Sequence, residues 1–192
     1  MNKENIEYWN DVYSKQVSEA PQYPSQFAAF VIGEMQPGVT IIECGCGNGR
    51  DAFFFNRYGW NVLGLDASTA IIERNKDFIN HFDAKKIDFE SFDFGNSEGL
   101  ISMATRIREK NEKICIYSRF FLHAIGDESE LNFLNFCKMV INPKEKIFLE
   151  FRTLRDVDRT KEAPRHFRRF ISESNLLEKL KEIGFTIEYY AE

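Results

Sequence analysis

The chain has 192 residues, 43 % of them apolar and 15 % aromatic, and this composition predicts one folded domain, 1–192, with its own core. The formal charge of −5 argues against a broad nucleic-acid surface, and no apolar run reaches the roughly 18 to 20 residues of a membrane span. Because no hydrophobic signal core follows Met1, we expect a cytoplasmic location.

The cysteines do not form a metal-binding pattern. Cys44 and Cys46 lie in a glycine-rich turn, whereas Cys115 and Cys137 fall in a predicted strand and a predicted helix. No Cys-x-x-Cys pair or histidine pair completes a zinc set. We therefore predict buried free thiols and no metal.

Three alternate glycines follow the first predicted strand. Gly45, Gly47 and Gly49 permit a tight turn from strand to helix, and they let backbone N–H groups approach a ligand that a Cβ would push away. The next helix would direct its positive N-terminal end at that ligand. The run predicts the binding loop of a nucleoside-type cofactor.

A second strand ends in Asp66, about 20 residues after Gly45, which is the spacing of the general dinucleotide fingerprint. An acidic residue there can accept hydrogen bonds from both hydroxyls of a ribose. Dehydrogenases have Gly-x-Gly-x-x-Gly in the preceding loop, and here the sixth position is Arg50.

The remaining elements alternate between strands and helices. Helices 5–14 and 26–35 form a predicted helical cap within residues 1–38. The predicted strands are 40–44, 62–66, 86–92, 114–118, 146–152 and 185–190. Further helices are predicted at 51–58, 98–109, 128–141 and 172–183, with another that Ser68 opens. This order predicts an α/β, three-layer Rossmann-like sandwich with a mostly parallel sheet, helices on both faces, and ligands beyond the carboxyl ends of the strands.

The pattern Glu-x-Gly-x-Gly-x-Gly from Glu43 to Gly49, followed by Asp66, resembles the class I S-adenosylmethionine-dependent methyltransferases. The resemblance implies S-adenosylmethionine as cofactor and a set of residues that bind it. That set is Tyr23, Glu43, Gly45, Cys46, Gly47, Gly49, Arg50, Asp66, Ala67, Asp93, Phe94, Ser118 and Arg119.

The resemblance also implies roles for some of these side chains. Glu43 orients the loop or reaches the methionine amino group indirectly. Asp93 lies where the family places an acidic group near the adenine amino group, with Phe94 able to pack on the ring. The alternative for Asp93 is an ordinary surface turn.

Residues 117–125, after strand four, resemble small bacterial methyltransferases of the tellurite-resistance type and relatives found with surface-polysaccharide genes. Such proteins usually carry Asp near the start of strand four, where this chain has Glu112 and Lys113. The Asn/Asp-Pro-Pro-aromatic and Pro-Cys motifs of base-methylating enzymes are missing. The family has a seventh strand, so either this strand is absent or the chain, ending at Glu192, is part of a longer protein.

Three residues are candidates for catalysis. His123 can accept a proton from an attacking hydroxyl, and the alternative is a packed, hydrogen-bonded histidine. Glu150 lies at the end of strand five, where only one of Glu150 and Phe151 can point into the cleft. His166 lies in a basic segment that follows.

Residues 151–171 are predicted to form a basic insertion on the substrate side. Arginine binds carboxylate or phosphate through two parallel hydrogen bonds, so Arg152, Arg168 and Arg169 are candidates to hold an anionic acceptor. A solvated basic loop is the alternative. The further basic residues of the segment are Arg155, Arg159, Lys161 and Arg165.

The sequence as a whole predicts an enzyme that transfers the methyl group of S-adenosylmethionine to a nucleophile, with oxygen favoured, on a small molecule or glycan. Two alternatives stay open. One is an NAD(P)-dependent oxidoreductase, and the other is a non-catalytic module that binds S-adenosylmethionine.

Overall fold

The computed structural model describes residues 3–15, 23–82, 84–110, 112–158 and 167–191. Its centre is a five-stranded sheet in the order β3-β2-β1-β4-β5, in which every pair of neighbours is parallel. The strands are β1 Val39–Cys44, β2 Asn61–Asp66, β3 Ile87–Ser91, β4 Lys113–Arg119 and β5 Lys146–Glu150.

Seven helices of the described residues surround this sheet. They are α1 Lys3–Lys15, α2 Gln26–Glu34, α3 Arg50–Arg57, α4 Thr69–Phe82, α5 Glu98–Glu109, α6 Asp127–Val140 and α7 Glu173–Ile183. Two short 3-10 turns, Leu122–Ala124 and Leu154–Asp156, follow β4 and β5.

The two faces of the sheet carry separate parts of the core. Ile41 packs with the apolar side chains of α2, α3 and α4, whereas Ile42 packs with those of α5, α6 and α7. Adjacent side chains of a strand point to opposite faces, so both must be apolar in a strand buried on both sides. The predicted three-layer sandwich is confirmed.

Five of the six predicted strands, and the predicted helices, lie within two residues of the observed ones. Strand five ends at Glu150 rather than at Arg152, because the Arg152 N–H donates to His123 Nδ1 at 3.1 Å instead of continuing the sheet.

The prediction of a sixth strand at 185–190 is wrong for the described residues. Gly184, with φ +95°, ends α7 in the left-handed conformation, and the following segment continues without pairing to the sheet. Phe185 and Ile187 pack on the core, and Glu188 lies 2.9 Å from Lys146 Nζ at the start of β5. The alternation of apolar residues there arises because alternate side chains pack on the core, although the backbone does not pair with any strand that the structure describes.

Each helix of the described residues is too short or too polar to cross a membrane.

Candidate functional site

The three glycines between β1 and α3 all need a left-handed backbone. Their φ angles are +74° at Gly45, +50° at Gly47 and +70° at Gly49, values that side chains rarely tolerate. The N–H groups of Gly45 and Cys46 donate to the Leu65 carbonyl at 2.8 and 3.0 Å. The loop is thereby attached to the end of β2.

Side chains from two other segments lie close over this loop. A Cβ at Gly45 would come within 2.6 Å of the Phe121 ring, and one at Gly47 would come within 3.0 Å of the Tyr13 hydroxyl. Burial raises the pKa of that hydroxyl, and the nearby Asp66 raises it further. The loop thus has no room for larger residues.

Asp66, at the end of β2, is held by backbone donors. Its Oδ2 accepts the Gly47 N–H at 2.9 Å, and its Oδ1 accepts the Ser68 N–H at 2.9 Å. Burial raises the pKa of Asp66, and bonds from backbone N–H groups, that of Ala67 included, lower it. Because a carboxylate has about four lone-pair sites, Asp66 can still accept a hydroxyl beside these backbone bonds.

Glu43 lies in β1, beside Gly64 of β2 and Tyr117 of β4. It is 4 % exposed, and its Oε2 has no hydrogen-bond partner among the described residues. Burial raises the pKa of Glu43 most, followed by the carboxylate of Asp51, whereas Arg50 and the Ala52 N–H lower it. A buried acceptor of this kind is costly unless a donor binds to it.

Asn75 of α4 also holds the loop, and the sequence analysis missed it. The side chain is fully buried, its Nδ2 donates to the Gly47 carbonyl at 2.8 Å, and its Oδ1 has no partner among the described residues. Gly47 is therefore held through its N–H group by Asp66 and through its carbonyl oxygen by Asn75. The signal in the sequence was the helical spacing of Asn75 from the apolar residues Ile71 and Ile72, which indicates a buried position for its amide.

Helix α1 crosses the carboxyl ends of the strands. Asn5 Nδ2 donates to the Ala124 carbonyl at 2.7 Å, beyond β4, and Ser68 Oγ donates to Asn10 Oδ1 at 2.5 Å, beyond β2. Asn5 Oδ1 is buried without a partner among the described residues. One helix thus spans the glycine loop from the β4 side to the β2 side.

Four other residues that were predicted to bind the cofactor are Ser118, Cys46, Arg50 and Tyr23. Ser118 Oγ donates to the carbonyl of Cys44 at 2.9 Å, which joins the ends of β4 and β1. Cys46 is buried in the core around α3. Arg50 begins α3 with its Nε 3.4 Å from Asp51, and Tyr23 is 79 % exposed.

Beyond β3, Asp93 accepts the Gly95 N–H at 2.8 Å, so it shapes the turn there. The structure gives no support for the assignment of Phe94 to the adenine ring. Its side chain is almost fully buried, in edge-on contact with Phe121, Phe133 and Phe136.

His123 is buried, and its Nδ1 accepts the Arg152 N–H at 3.1 Å. A neutral imidazole that accepts at Nδ1 carries its proton on Nε2. Proton acceptance by His123 would therefore require this hydrogen bond to break or the tautomer to change. The geometry supports the alternative of a packed histidine that joins the segments after β4 and β5.

Arg169, predicted to hold the acceptor, is bound to other residues of the protein. Its guanidinium pairs with Asp127 and Glu130 and donates to the Leu122 carbonyl at 3.3 Å. Glu130 is buried, and Lys179 also binds it at 2.7 Å. Arg169 is thus engaged in neutralising a buried carboxylate.

Arginines also surround the end of β4. Arg119 pairs with Glu150, Arg152 lies 3.4 Å from Asp156, and Arg168 Nε is buried without a partner among the described residues. His166, Arg159, Lys161 and Arg165 lie outside the described residues.

A buried polar network lies under the loop. Asp51 Oδ2 accepts hydrogen bonds from the hydroxyls of Ser25 and Tyr117, both at 2.7 Å, and its Oδ1 accepts the Ser25 N–H at 2.8 Å. The four cysteines are buried and unpaired, and no three metal-ligating side chains come together in the described part of the chain.

No family model and no curated protein match the sequence, but solved structures match the fold. A protein of echinomycin biosynthesis, solved in work on the conversion of a disulfide bond into a thioacetal group, has a TM-score of 0.69 at 20 % identity, over 96 % of this chain and 80 % of that one.

A glycopeptide N-methyltransferase, MtfA, complexed with S-adenosylmethionine, has a TM-score of 0.64 at 13 % identity, over 88 % of this chain and 87 % of that one. A TehB-like S-adenosylmethionine-dependent methyltransferase from Corynebacterium glutamicum has a TM-score of 0.60 at 14 % identity, over 95 % of this chain and 82 % of that one. The chain therefore has the class I, Rossmann-like fold of S-adenosylmethionine-dependent methyltransferases.

Proposed function

We propose that the protein is a methyltransferase that moves the methyl group of S-adenosylmethionine to an oxygen nucleophile on a small molecule or glycan that carries an anionic group. The fold is compatible with several chemistries, so the proposal depends on the site. The observation that carries it is the buried Glu43 Oε2 without a donor, beside a glycine loop and Asp66.

The residues present fit this cofactor. Its ammonium group would supply the donor that Glu43 lacks, directly or through a water, and a ribose hydroxyl could donate to the lone pair of Asp66 that the backbone N–H groups leave free. The N–H groups of Gly45, Cys46, Gly47 and Gly49 are bonded within the protein, so the loop would contribute its shape rather than free backbone donors. When bound, S-adenosylmethionine supplies an electrophilic methyl group on a positively charged sulfur.

The charges of the site favour this cofactor over a nicotinamide dinucleotide. Glu43, Asp51 and Asp66 are close enough to one another that both aspartates raise the pKa of Glu43. Carboxyl groups placed this close would ionise more readily beside a cationic ligand, whereas a pyrophosphate would disfavour their charged form further. The same feature weakens the alternative of an NAD(P)-dependent oxidoreductase.

The protein's task in such a reaction is alignment. Well-oriented proximity can lower a barrier by roughly 7 to 11 kcal/mol, and α1 would exclude water by covering the loop. The acceptor oxygen loses its proton as it gains the methyl group. Glu150, paired with Arg119 at the end of β5, is our candidate to receive that proton, and a role for His166 stays a prediction.

Thermal unfolding with added ligands tests the proposal. S-adenosylhomocysteine should raise the melting temperature, because it binds the folded state alone, whereas NADH should not. Glu43→Gln should weaken S-adenosylhomocysteine by about tenfold, since a charge-assisted hydrogen bond contributes roughly 1.5 to 3 kcal/mol. The matched control is Glu109→Gln, an exposed site on α5.

Stabilisation by NADH alone would overturn the proposal. A separate incubation with isotope-labelled S-adenosylmethionine and cell-lysate fractions identifies the acceptor. Cofactor binding without label in any fraction would favour the non-catalytic module.

A further inference from the structure

Two arginines beyond the ends of β4 and β5 share one aromatic ring. Arg119, the last residue of β4, has its Cζ 4.0 Å from the centroid of the Phe120 ring, and Arg152, just beyond β5, has its Cζ 4.5 Å from the same centroid. Like charges this close repel each other, so neutralising groups must be near. Glu150 and Asp156 supply part of that neutralisation.

The residue that carries this ring has an unusual backbone conformation. Phe120 has φ +56°, a left-handed value that an aromatic residue rarely adopts. Its N–H donates to the Glu150 carbonyl at 2.7 Å, which ties this turn to the end of β5. Strained residues of this kind persist where the surroundings enforce them, and functional sites are common among such places.

Most hydrogen-bond donors of the two guanidiniums have no acceptor among the described residues. Each guanidinium has five N–H groups; besides the Phe120 ring, Arg119 contacts the carboxylate of Glu150 and Arg152 contacts that of Asp156. The two side chains are only 23 % and 27 % exposed. Partly desolvated donors without acceptors form a site for an oxyanion.

A third arginine approaches the same place along the chain. The neighbouring Arg169 N–H donates to the His123 carbonyl at 3.0 Å, and the Ile171 N–H donates to the Arg152 carbonyl at 3.0 Å. Arg168 therefore lies on a segment bound to the residues after both β4 and β5. Its Nε is buried without an acceptor among the described residues.

The strand order separates this cluster from the cofactor residues. The glycine loop follows β1 and Asp66 ends β2, whereas Arg119 ends β4 and Arg152 follows β5, on the other side of β1. Neighbouring strands lie about 4.8 Å apart, so the cluster spans the half of the edge that the predicted ribose and adenine contacts leave open.

We propose that Arg119 and Arg152, stacked on Phe120 and with Arg168 beside them, bind the phosphate or carboxylate group of the methyl acceptor. The identification of the ligand as the methyl acceptor rests on the proposed function, but the oxyanion site can be tested without it. This assignment moves Arg119 from the cofactor to the acceptor and removes Arg169 from the acceptor site.

Calorimetric titration with inorganic phosphate and with propionate tests the site and separates the two sources of oxyanion. We expect at least one of them to bind the wild-type protein, and Arg119→Gln and Arg152→Gln each to weaken it by about tenfold. The control is Arg106→Gln, which removes an arginine paired with Glu90 on the surface. Arg119→Lys keeps a charge for Glu150, so it replaces the Gln variant if that one does not fold.

S-adenosylhomocysteine is titrated in parallel, with and without saturating phosphate or propionate. Retained S-adenosylhomocysteine affinity in both variants, and binding of both ligands together, support an acceptor site. Mutually exclusive binding would overturn the inference, because the arginines would then hold the methionine carboxylate. Binding of neither anion, or equal binding by wild type and variants, would overturn it as well. Anion binding without any S-adenosylhomocysteine binding would overturn the proposed function and leave the oxyanion site intact.

Discussion

At the scale of single residues, Asn75 offers the cleanest separation of function from stability. Its buried Oδ1 has no partner among the residues that the structure describes, so the amide gains little stability, yet its Nδ2 holds the Gly47 carbonyl. Asn75→Leu should leave the melting temperature nearly unchanged, because removing an unsatisfied polar atom offsets the lost hydrogen bond. Affinity for S-adenosylhomocysteine should fall by roughly tenfold, as expected for about 1.4 kcal/mol of lost loop orientation.

Calorimetry and thermal unfolding on the same samples check this prediction. Asn80→Leu, at an exposed position of the same helix, is the matched control. Unaltered affinity in a folded Asn75→Leu protein would contradict the role in positioning the loop. Partial recovery in Asn75→Gln would support it, since that side chain keeps the donor.

Site residues could be predicted where the local backbone demands a particular residue type. The left-handed turns at Gly45, Gly47 and Gly49 admit few residues besides glycine, so the loop was readable from the sequence. Arg169 and Phe94 could not be assigned in this way, because partners distant in sequence decide their roles. A buried Glu130 binds the former, and surrounding phenylalanines enclose the latter.

At the scale of elements, the network around Asp51 joins three of them. Ser25 caps α2 by accepting the Ala28 N–H at 2.9 Å, and its hydroxyl and N–H also bind Asp51 of α3, which accepts from Tyr117 of β4. Burial raises the pKa of the Tyr117 hydroxyl well above its usual range, so Tyr117 remains a donor at ordinary pH.

Asp51→Ala should destabilise the protein by roughly 3 kcal/mol, because it leaves two buried hydroxyls without their common acceptor. Tyr117→Phe should cost less, about 1 kcal/mol, since Asp51 keeps both bonds from Ser25. Urea unfolding measures both values. Asp77→Ala, on the exposed side of α4, is the control, and equal losses in all three variants would argue against the network.

The elements themselves were predictable to the extent that hydrophobic periodicity reports burial. Strands β1, β2 and β4 contain apolar runs, β3 alternates apolar and polar residues, and the helices have caps such as Ser25 and Ser172. Residues 185–190 alternate as β3 does, but they have no sheet neighbour in the described part of the chain. Periodicity shows which side chains are buried, and it does not show whether the backbone finds a hydrogen-bond partner.

At the scale of the whole molecule, Glu43 makes stability depend on pH. Burial raises its pKa in the folded protein above the usual 4.5, so between these two values the folded state binds more protons than the unfolded state. Stability therefore falls as pH rises through that window and levels off above the folded pKa. Glu43→Gln should be as stable as wild type below pH 4.5 and increasingly more stable above it.

Unfolding curves recorded at a series of pH values check this prediction, and the comparison isolates Glu43, because Asp66, whose pKa is also raised, stays in both proteins. Binding of a cationic ligand favours the carboxylate, so it should release protons in the same window. Calorimetry in two buffers of different ionisation enthalpy measures that release. A stability difference that shrinks as pH rises would contradict the argument.

The position of β1 at the centre of the sheet and of β5 at its edge has an evolutionary consequence. The proposed cofactor contacts arise from a central strand whose neighbours on both sides constrain every substitution, whereas the proposed arginine site depends on an edge strand and the segment after it. Substitutions that change the acceptor can therefore accumulate at the edge strand while cofactor binding at the central strands stays the same. Relatives of this chain should diverge first around Arg152 and Arg168 and last around Gly45 and Asp66.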